Sequence, residues 1–261
     1  WRSGKYLHPG ALRNWSKQLI EQFLCRRGDL VLCVTPTLGK VVARDYQISS
    51  EKIIIVRNGA WEAMEDVMGV EKEYDLVFLG SPSPYKDLEG LFEALAIAQK
   101  SYPLRILFVG WVENRYTKGL RNLVKNLRLS ESIEFIPQTP IEEVRSLISK
   151  ARIAIETVGG PPSIAWAVGA KNYEYLASGL PIACLSKYRE GEMYNLITGE
   201  VGFIENDPAS FAEELVETLE DSERLKSMSV HALEYSSRFT WKRIVSDVYE
   251  SHLKKLVGDA S

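Results

Sequence analysis

From residue 75 onward the chain alternates short, continuously apolar runs with amphipathic stretches. Strands are predicted at Asp75–Gly80, Arg105–Gly110, Ile133–Pro137, Arg152–Glu156, Pro181–Leu185 and Val201–Glu205. Helices are predicted at about 86–102, 115–128, 140–150, 170–178 and 208–220. Apolar runs without polar alternation belong to strands buried on both faces, which means a parallel sheet covered by crossover helices. Six strands with five right-handed crossovers make a doubly wound parallel α/β domain, assigned to residues 75–240.

Less is found on either side. Leu12, Trp15, Leu19 and Phe23 lie on one helical stripe that closes near Gly28. An apolar run from Leu30 to Val34 follows, and then a short helix through Tyr46 with Thr35 as its cap. Lys52–Val56 reads as a second strand, ended by the turn pair Asn58-Gly59. Two strands and two helices are too little for an independent domain, so residues 1–60 read as the tail of one. Residues 61–74 are an acidic connector. Thr240 caps a last helix over 241–261, whose stripe is Trp241, Ile244, Val248, His252 and Leu256.

The totals exclude several classes. A formal net charge of −3 argues against a nucleic-acid partner. No apolar run approaches the roughly 20 residues of a membrane-spanning helix. Cys25, Cys33 and Cys184 are far apart and read as reduced thiols, which suits a cytoplasmic protein. His8, His231 and His252 stand alone, and His252 reads as a packing residue. The sequon Asn14-Trp15-Ser16 falls inside a helical pattern and reads as a chance match. The chain opens at Trp1 rather than Met, so an upstream segment is expected.

In an open parallel sheet, ligands bind at the carboxyl ends of the strands. Three segments there carry candidate chemistry. In Gly80-Ser-Pro-Ser-Pro-Tyr-Lys86, the glycine permits a tight turn and Lys86 opens a helix, where an anion is favoured. The loop from Val158 to Gly169 is rich in Gly and Pro yet carries Ile164, Trp166 and Val168, as a ligand wall or a lid would. In Lys171-Asn-Tyr-Glu174 the two charges are one turn apart, which suits an exposed ion pair or a carboxylate that accepts from ribose hydroxyls. GxGxxG, GxxxxGK[ST] and GxSxG motifs are absent, so nicotinamide, P-loop and α/β-hydrolase sites are unsupported.

The segment Lys171–Pro181, KNYEYLASGLP, resembles the signature K-x-x-E-Y-L-A-x-G-x-P of group 1 glycosyltransferases, which are retaining enzymes of the GT-B fold. Three further segments are similar to the family in order and spacing: Asp29–Thr35 followed by KIIIVRNG, Asp75–Gly80 with Lys86, and Phe239-Thr-Trp241. The resemblance implies two Rossmann-like domains. Residues 75–240 would be the nucleotide-sugar-binding one, and residues 1–60 a remnant of the acceptor-side one. The final helix would cross back toward the latter.

By the same resemblance, donor phosphates would meet Gly80, Ser81, Lys86 and the backbone of Ala170, Lys171 and Asn172. Glu174 would hold the ribose, Gln138 and Thr139 would lie near the base, and Trp166 and Gly169 near the donor sugar. The chain departs from the family in two places: Ser81 or Pro82 stands where an Arg is common, and Trp166 where a Glu is common. No catalytic acid or base is assignable. The implied activity is metal-independent, cofactor-free transfer of a sugar with retention from a nucleotide-diphosphate donor, UDP favoured over GDP as the commoner one. The acceptor is a sugar, a lipid-linked molecule or a protein. The missing domain or a partner chain would complete the cleft, and any membrane association would come from that part. The chain alone is expected to be inactive. Two alternatives stay open: a non-catalytic nucleotide-sugar-binding subunit and, behind it, a nucleotide-sugar epimerase.

Overall fold

The computed structural model describes residues 11–63 and 67–254. It opens with α1 (Ala11–Arg27), β1 (Val31–Cys33), α2 (Pro36–Tyr46) and β2 (Ile53–Ile55). β1 and β2 pair in parallel, Val31 opposite Ile53 and Cys33 opposite Ile55. Thr35 caps α2 as its sequence predicts: it is extended, and its hydroxyl accepts from the Leu38 N–H at 3.2 Å. Pro36 follows at the first helical position, where its missing N–H costs nothing. Of the stripe predicted on α1, Leu19 and Phe23 are exposed, as is Leu32 of β1.

The main sheet follows. In chain order its elements are β3 (Tyr74–Leu79), α3 (Leu88–Ala98), β4 (Ile106–Trp111), α4 (Arg115–Asn126), β5 (Ile133–Pro137), α5 (Ile141–Ser149), β6 (Ala151–Val158) and α6 (Ala170–Ala177). Then come β7 (Ile182–Ser186), α7 (Glu192–Leu196), β8 (Gly202–Glu205), α8 (Pro208–Glu220), α9 (Ser222–Ser236) and α10 (Trp241–Val248). All six strands are parallel, in the spatial order β5-β4-β3-β6-β7-β8. The order reverses between β3 and β6, so a crevice opens above their carboxyl ends.

Successive residues of β3 feed the two sides of the sheet. Leu76 and Phe78 pack with Leu91, Phe92, Phe108, Phe211 and Leu215 on one face. Val77 packs with Val109, Ile148, Tyr173 and Leu176 on the other. Each such buried side chain contributes about 1.5–3 kcal/mol.

Three expectations need correction. The fifth predicted helix, α8, follows the last strand instead of joining two. The fifth crossover is carried by the five-residue α7, which is too short to show a period in its polar, Gly-flanked stretch. Lys86 does not open a helix: Asp87 caps α3 and accepts from the Gly90 N–H, which places Lys86 one residue outside the cap. His252 is exposed, not packed. A π-helical turn over Tyr249–Leu253 adds residues per turn and rotates it off the stripe of Trp241, Ile244 and Val248. Leu256 lies outside the described residues.

The chain returns on itself at residue 60. Ala60 N–H donates to the Phe239 carbonyl at 2.9 Å, and Trp241 N–H donates to the Ala60 carbonyl at 2.9 Å. Gly59 permits this approach: a Cβ there would sit 2.7 Å from the Phe239 oxygen and 2.8 Å from Ile244 Cδ1.

Candidate functional site

The floor of the crevice is made of glycine. Gly80 ends β3 with φ +114°, and Gly110 lies near the end of β4 with φ +94°. A Cβ on Gly110 would lie 3.2 Å from the Gly80 carbonyl carbon, so the two strand ends touch backbone to backbone. The N–H of Leu79 donates to the Tyr175 hydroxyl oxygen at 2.6 Å, which ties α6 to the start of the 80–86 loop. From the other side, Gly159 and Gly160 lie against Asp87 and Tyr85, where a Cβ on Gly159 would come within 2.9 Å of the Asp87 nitrogen. The Gly-Gly pair of the second loop thus seats the first loop. Lys187 pairs with Asp87 at 3.2 Å beside it.

Four polar side chains converge above this floor. Lys86 turns back over its own loop, and its Nζ donates to the Ser81 carbonyl at 3.0 Å. It lies 5.0 Å from the Phe78 ring centroid, and Lys171 Nζ lies 4.2 Å from the same centroid. Glu156, at the end of β6, meets Lys171 Nζ at 2.9 Å and accepts from Asn172 Nδ2 at 2.8 Å. Burial, and then the neighbouring Lys171 charge, push Lys86 down to about 8, with Glu156 acting in the opposite sense. Gly169 opens α6 without a side-chain cap, which leaves the N–H groups of Ala170 and Lys171 to favour an anion; the Asn172 N–H, expected to join them, instead donates to the Gly169 carbonyl at 3.1 Å.

Glu174 lies one turn further along α6 and is buried. The Trp61 N–H donates to its Oε1 at 3.3 Å, and Arg145 Nε lies 3.4 Å from Oε2 without hydrogen-bond alignment. Burial raises its pKa, although Arg145 and the Trp61 N–H oppose the shift. The expected Lys171–Glu174 surface pair does not form. Each residue is turned to a partner from another strand or helix, Lys171 to Glu156 and Glu174 to Arg145.

Trp166 ends a 3₁₀ turn, Pro162–Trp166, and its carbonyl accepts from the Thr35 hydroxyl. Asn58 Nδ2 donates to the Val168 carbonyl at 2.9 Å, and the Thr37 N–H donates to Glu192 at 2.9 Å. The 158–169 loop is therefore held by the β1–β2 unit as well as by its own sheet. Gln138 and Thr139 sit past the end of β5, an edge strand, and the Thr139 hydroxyl donates to the Pro137 carbonyl at 2.9 Å. No described contact joins them to Lys86 or Glu174, whereas Arg145 on the following helix does reach Glu174.

Sequence reasoning missed Glu156, Tyr175 and Arg145 as members of this group. The only signal was the polar Glu156 ending an apolar strand. Among the described residues there is no group of three or more His, Cys, Asp or Glu placed to hold a metal. No helix among them is long and apolar enough to cross a membrane.

Fold and site together define a Rossmann-like domain with a crevice lined by Lys86 and Lys171 at its switch point. Residues 61–234 match the family Glycosyl transferases group 1, and the chain belongs to that family. It is 27% identical over 152 residues to the O-antigen chain mannosyltransferase RfbU of Salmonella typhimurium, covering 58% of this chain and 40% of that protein. It is 22% identical over 267 residues to the D-inositol 3-phosphate glycosyltransferase of Corynebacterium diphtheriae, covering 94% and 60%. The chain thus spans about half the length of these relatives. Among solved structures it resembles Anabaena HepE in complex with UDP-glucose, with TM-score 0.75, 18% identity and 92% and 68% coverage. It also resembles the pneumococcal O-GlcNAc transferase GtfA in complex with UDP and GlcNAc, with TM-score 0.74, 16% identity and 92% and 47% coverage. These likenesses establish the GT-B fold.

Proposed function

We propose that this chain is the donor-binding half of a glycosyltransferase that moves a sugar, with retention, from a nucleotide-diphosphate donor. One observation carries the reading: Lys86 faces the start of α6, and Glu174 lies one turn along that helix, a spacing that suits a nucleoside diphosphate. Lys86 and the uncapped first turn of α6 form the end that would receive the phosphates. Glu174, about 6 Å further along the helix at 1.5 Å per residue, has a buried carboxylate oxygen, Oε2, that makes no hydrogen bond and lies 3.4 Å from Arg145 Nε. Ribose hydroxyls are donors that such an oxygen accepts.

Gly80 and Ser81 then border the phosphates, and Gln138 and Thr139 border the base. Trp166 and Gly169 border the sugar, next to residues of the β1–β2 unit. In the reaction, negative charge grows on the departing diphosphate as the glycosidic bond opens. The Lys86 ammonium and the N–H groups of Ala170 and Lys171 would stabilise that charge with little reorganisation, while the Asn172 N–H is spent on the Gly169 carbonyl at 3.1 Å. The reading favours UDP over GDP, in keeping with the UDP of the HepE and GtfA complexes. The acceptor would be chosen by the domain to which the β1–β2 unit belongs.

Calorimetric titration of the chain with UDP, GDP and ADP tests this. The expected result is binding of one of them, weakened about tenfold or more by Lys86→Ala and by Glu174→Ala. A folded chain that binds none of the three would overturn the reading.

A further inference from the structure

The crevice holds more positive charge than its fold uses. Lys171 is mostly buried, with 15% of its side chain exposed, and it shares the Phe78 ring with Lys86. Two ammonium groups brought together out of water disfavour each other. A single carboxylate, Glu156, serves both, which leaves one positive charge of the pair without a carboxylate partner. Such a surplus is a cost to the fold unless an anion arrives to use it.

The contact between Lys171 and Glu156 is also a loose one. Nζ and Oε1 are 2.9 Å apart, yet the pair is not aligned as a hydrogen bond, and the buried Nζ makes none elsewhere. Glu156 does not depend on it. Its Oε2 accepts from Asn172 Nδ2 at 2.8 Å, and its Oε1 from the Thr157 N–H at 2.9 Å. Both oxygens keep a donor if the ammonium leaves. Asn172 is itself fully buried in the first turn of α6, so the carboxylate is fixed while the long lysine stem can turn.

We infer that the Lys171 side chain is a second cation for the donor diphosphate, held by Glu156 and released to a phosphate oxygen on binding. Glu156 is then a positioning residue, which competes with the ligand for the ammonium it holds. This rests on the donor reading above but goes beyond it, since that reading used only the backbone of Lys171.

The two partners should therefore act in opposite directions. The test is titration of the chain at about pH 6.5, where Lys86 is protonated, with UDP, GDP and ADP and with the matching monophosphates. Lys171→Met should cut diphosphate affinity about tenfold and leave the monophosphate nearly unchanged. Glu156→Gln should tighten the diphosphate severalfold. A merely structural ion pair would instead weaken diphosphate and monophosphate alike in both variants. If Lys171→Met leaves a buried charge that unfolds the chain, the neutral pair Glu156→Gln with Lys171→Met carries the test, and should bind diphosphate as weakly as expected for Lys171→Met. Wild-type preference for a diphosphate that survives loss of Lys171 would overturn this inference alone. Failure of the wild type to bind any diphosphate would overturn the donor reading with it.

Discussion

Lys86 holds its charge in a place that works against it. Burial and the Lys171 ammonium bring its pKa to about 8, while Glu156 supports the charge. Because the value is lowered, the ammonium is intact below about pH 8 and is lost as pH rises through that value. Nucleoside diphosphate affinity, measured by calorimetry from about pH 6.5 to 9.5, should be level at first and fall above about 8. Lys86→Met should bind more weakly and lose that fall; the same profile in the variant would refute the role. Tyr175 makes a second residue-scale prediction. Its hydroxyl is the acceptor for the Leu79 N–H, so Tyr175→Phe strands a buried donor. Urea unfolding should show a loss of about 1–3 kcal/mol, and unchanged stability would mean that the bond contributes nothing. Lys86, Lys171 and Glu174 were legible in the sequence because they stand in a dense motif. Their partners were not. The one-turn spacing of Lys171 and Glu174 suggested that they pair, but Glu156 and Arg145, distant in sequence, supply closer and drier contacts.

At the scale of elements, the continuous apolar runs located all six strands of the main sheet to within about two residues, since burial on both faces leaves little choice of side chain. What escaped was α7. With five residues it has no period to read, and its place depends on Gly191, whose φ of +135° lets it lie against Ala165; a Cβ there would be 2.8 Å from the Ala165 oxygen. The helix brings in Glu192, whose side chain is fully buried. Its carboxylate accepts from the Thr37 N–H in the first turn of α2 and from Asn195, and lies 3.9 Å from Arg57. Burial would raise its pKa, but the Thr37 and Asn195 hydrogen bonds and Arg57 together lower it. A depressed carboxylate stabilises the fold above its unfolded value, near 4.5, and the contribution is lost as pH falls through the lowered value. Glu192→Ala should cost about 2–4 kcal/mol at neutral pH. Its disadvantage against wild type in urea unfolding should shrink as pH drops below the unfolded value of 4.5. A deficit that stays constant with pH would argue against the ionised latch.

Across the whole molecule, two hollows compete as the place where a ligand sits. One is the crevice between β3 and β6. The other is a cavity of about 800 Å³ between α1, α2 and β1, closed on one side by Trp166. Chemistry favours the crevice. The cavity is lined by mixed polar and apolar side chains such as Leu19, Cys33, Leu38 and Tyr46, with no paired ammonium groups. The crevice has Lys86, Lys171, an uncapped helix start and Glu174. The sequence carried this distinction only in part: it marked the strand ends where ligands bind, but the cavity arises from how α1 and α2 lie on a two-stranded sheet, which no local pattern records. A nucleoside diphosphate is proposed to occupy the crevice. Hydrogen exchange of the chain with and without saturating UDP, GDP or ADP reads this position directly. The account predicts slower exchange confined to residues 80–88 and 169–175. Protection centred on α1 and α2 instead, or a bound nucleotide that protects neither α6 nor the 80–86 loop, would contradict it.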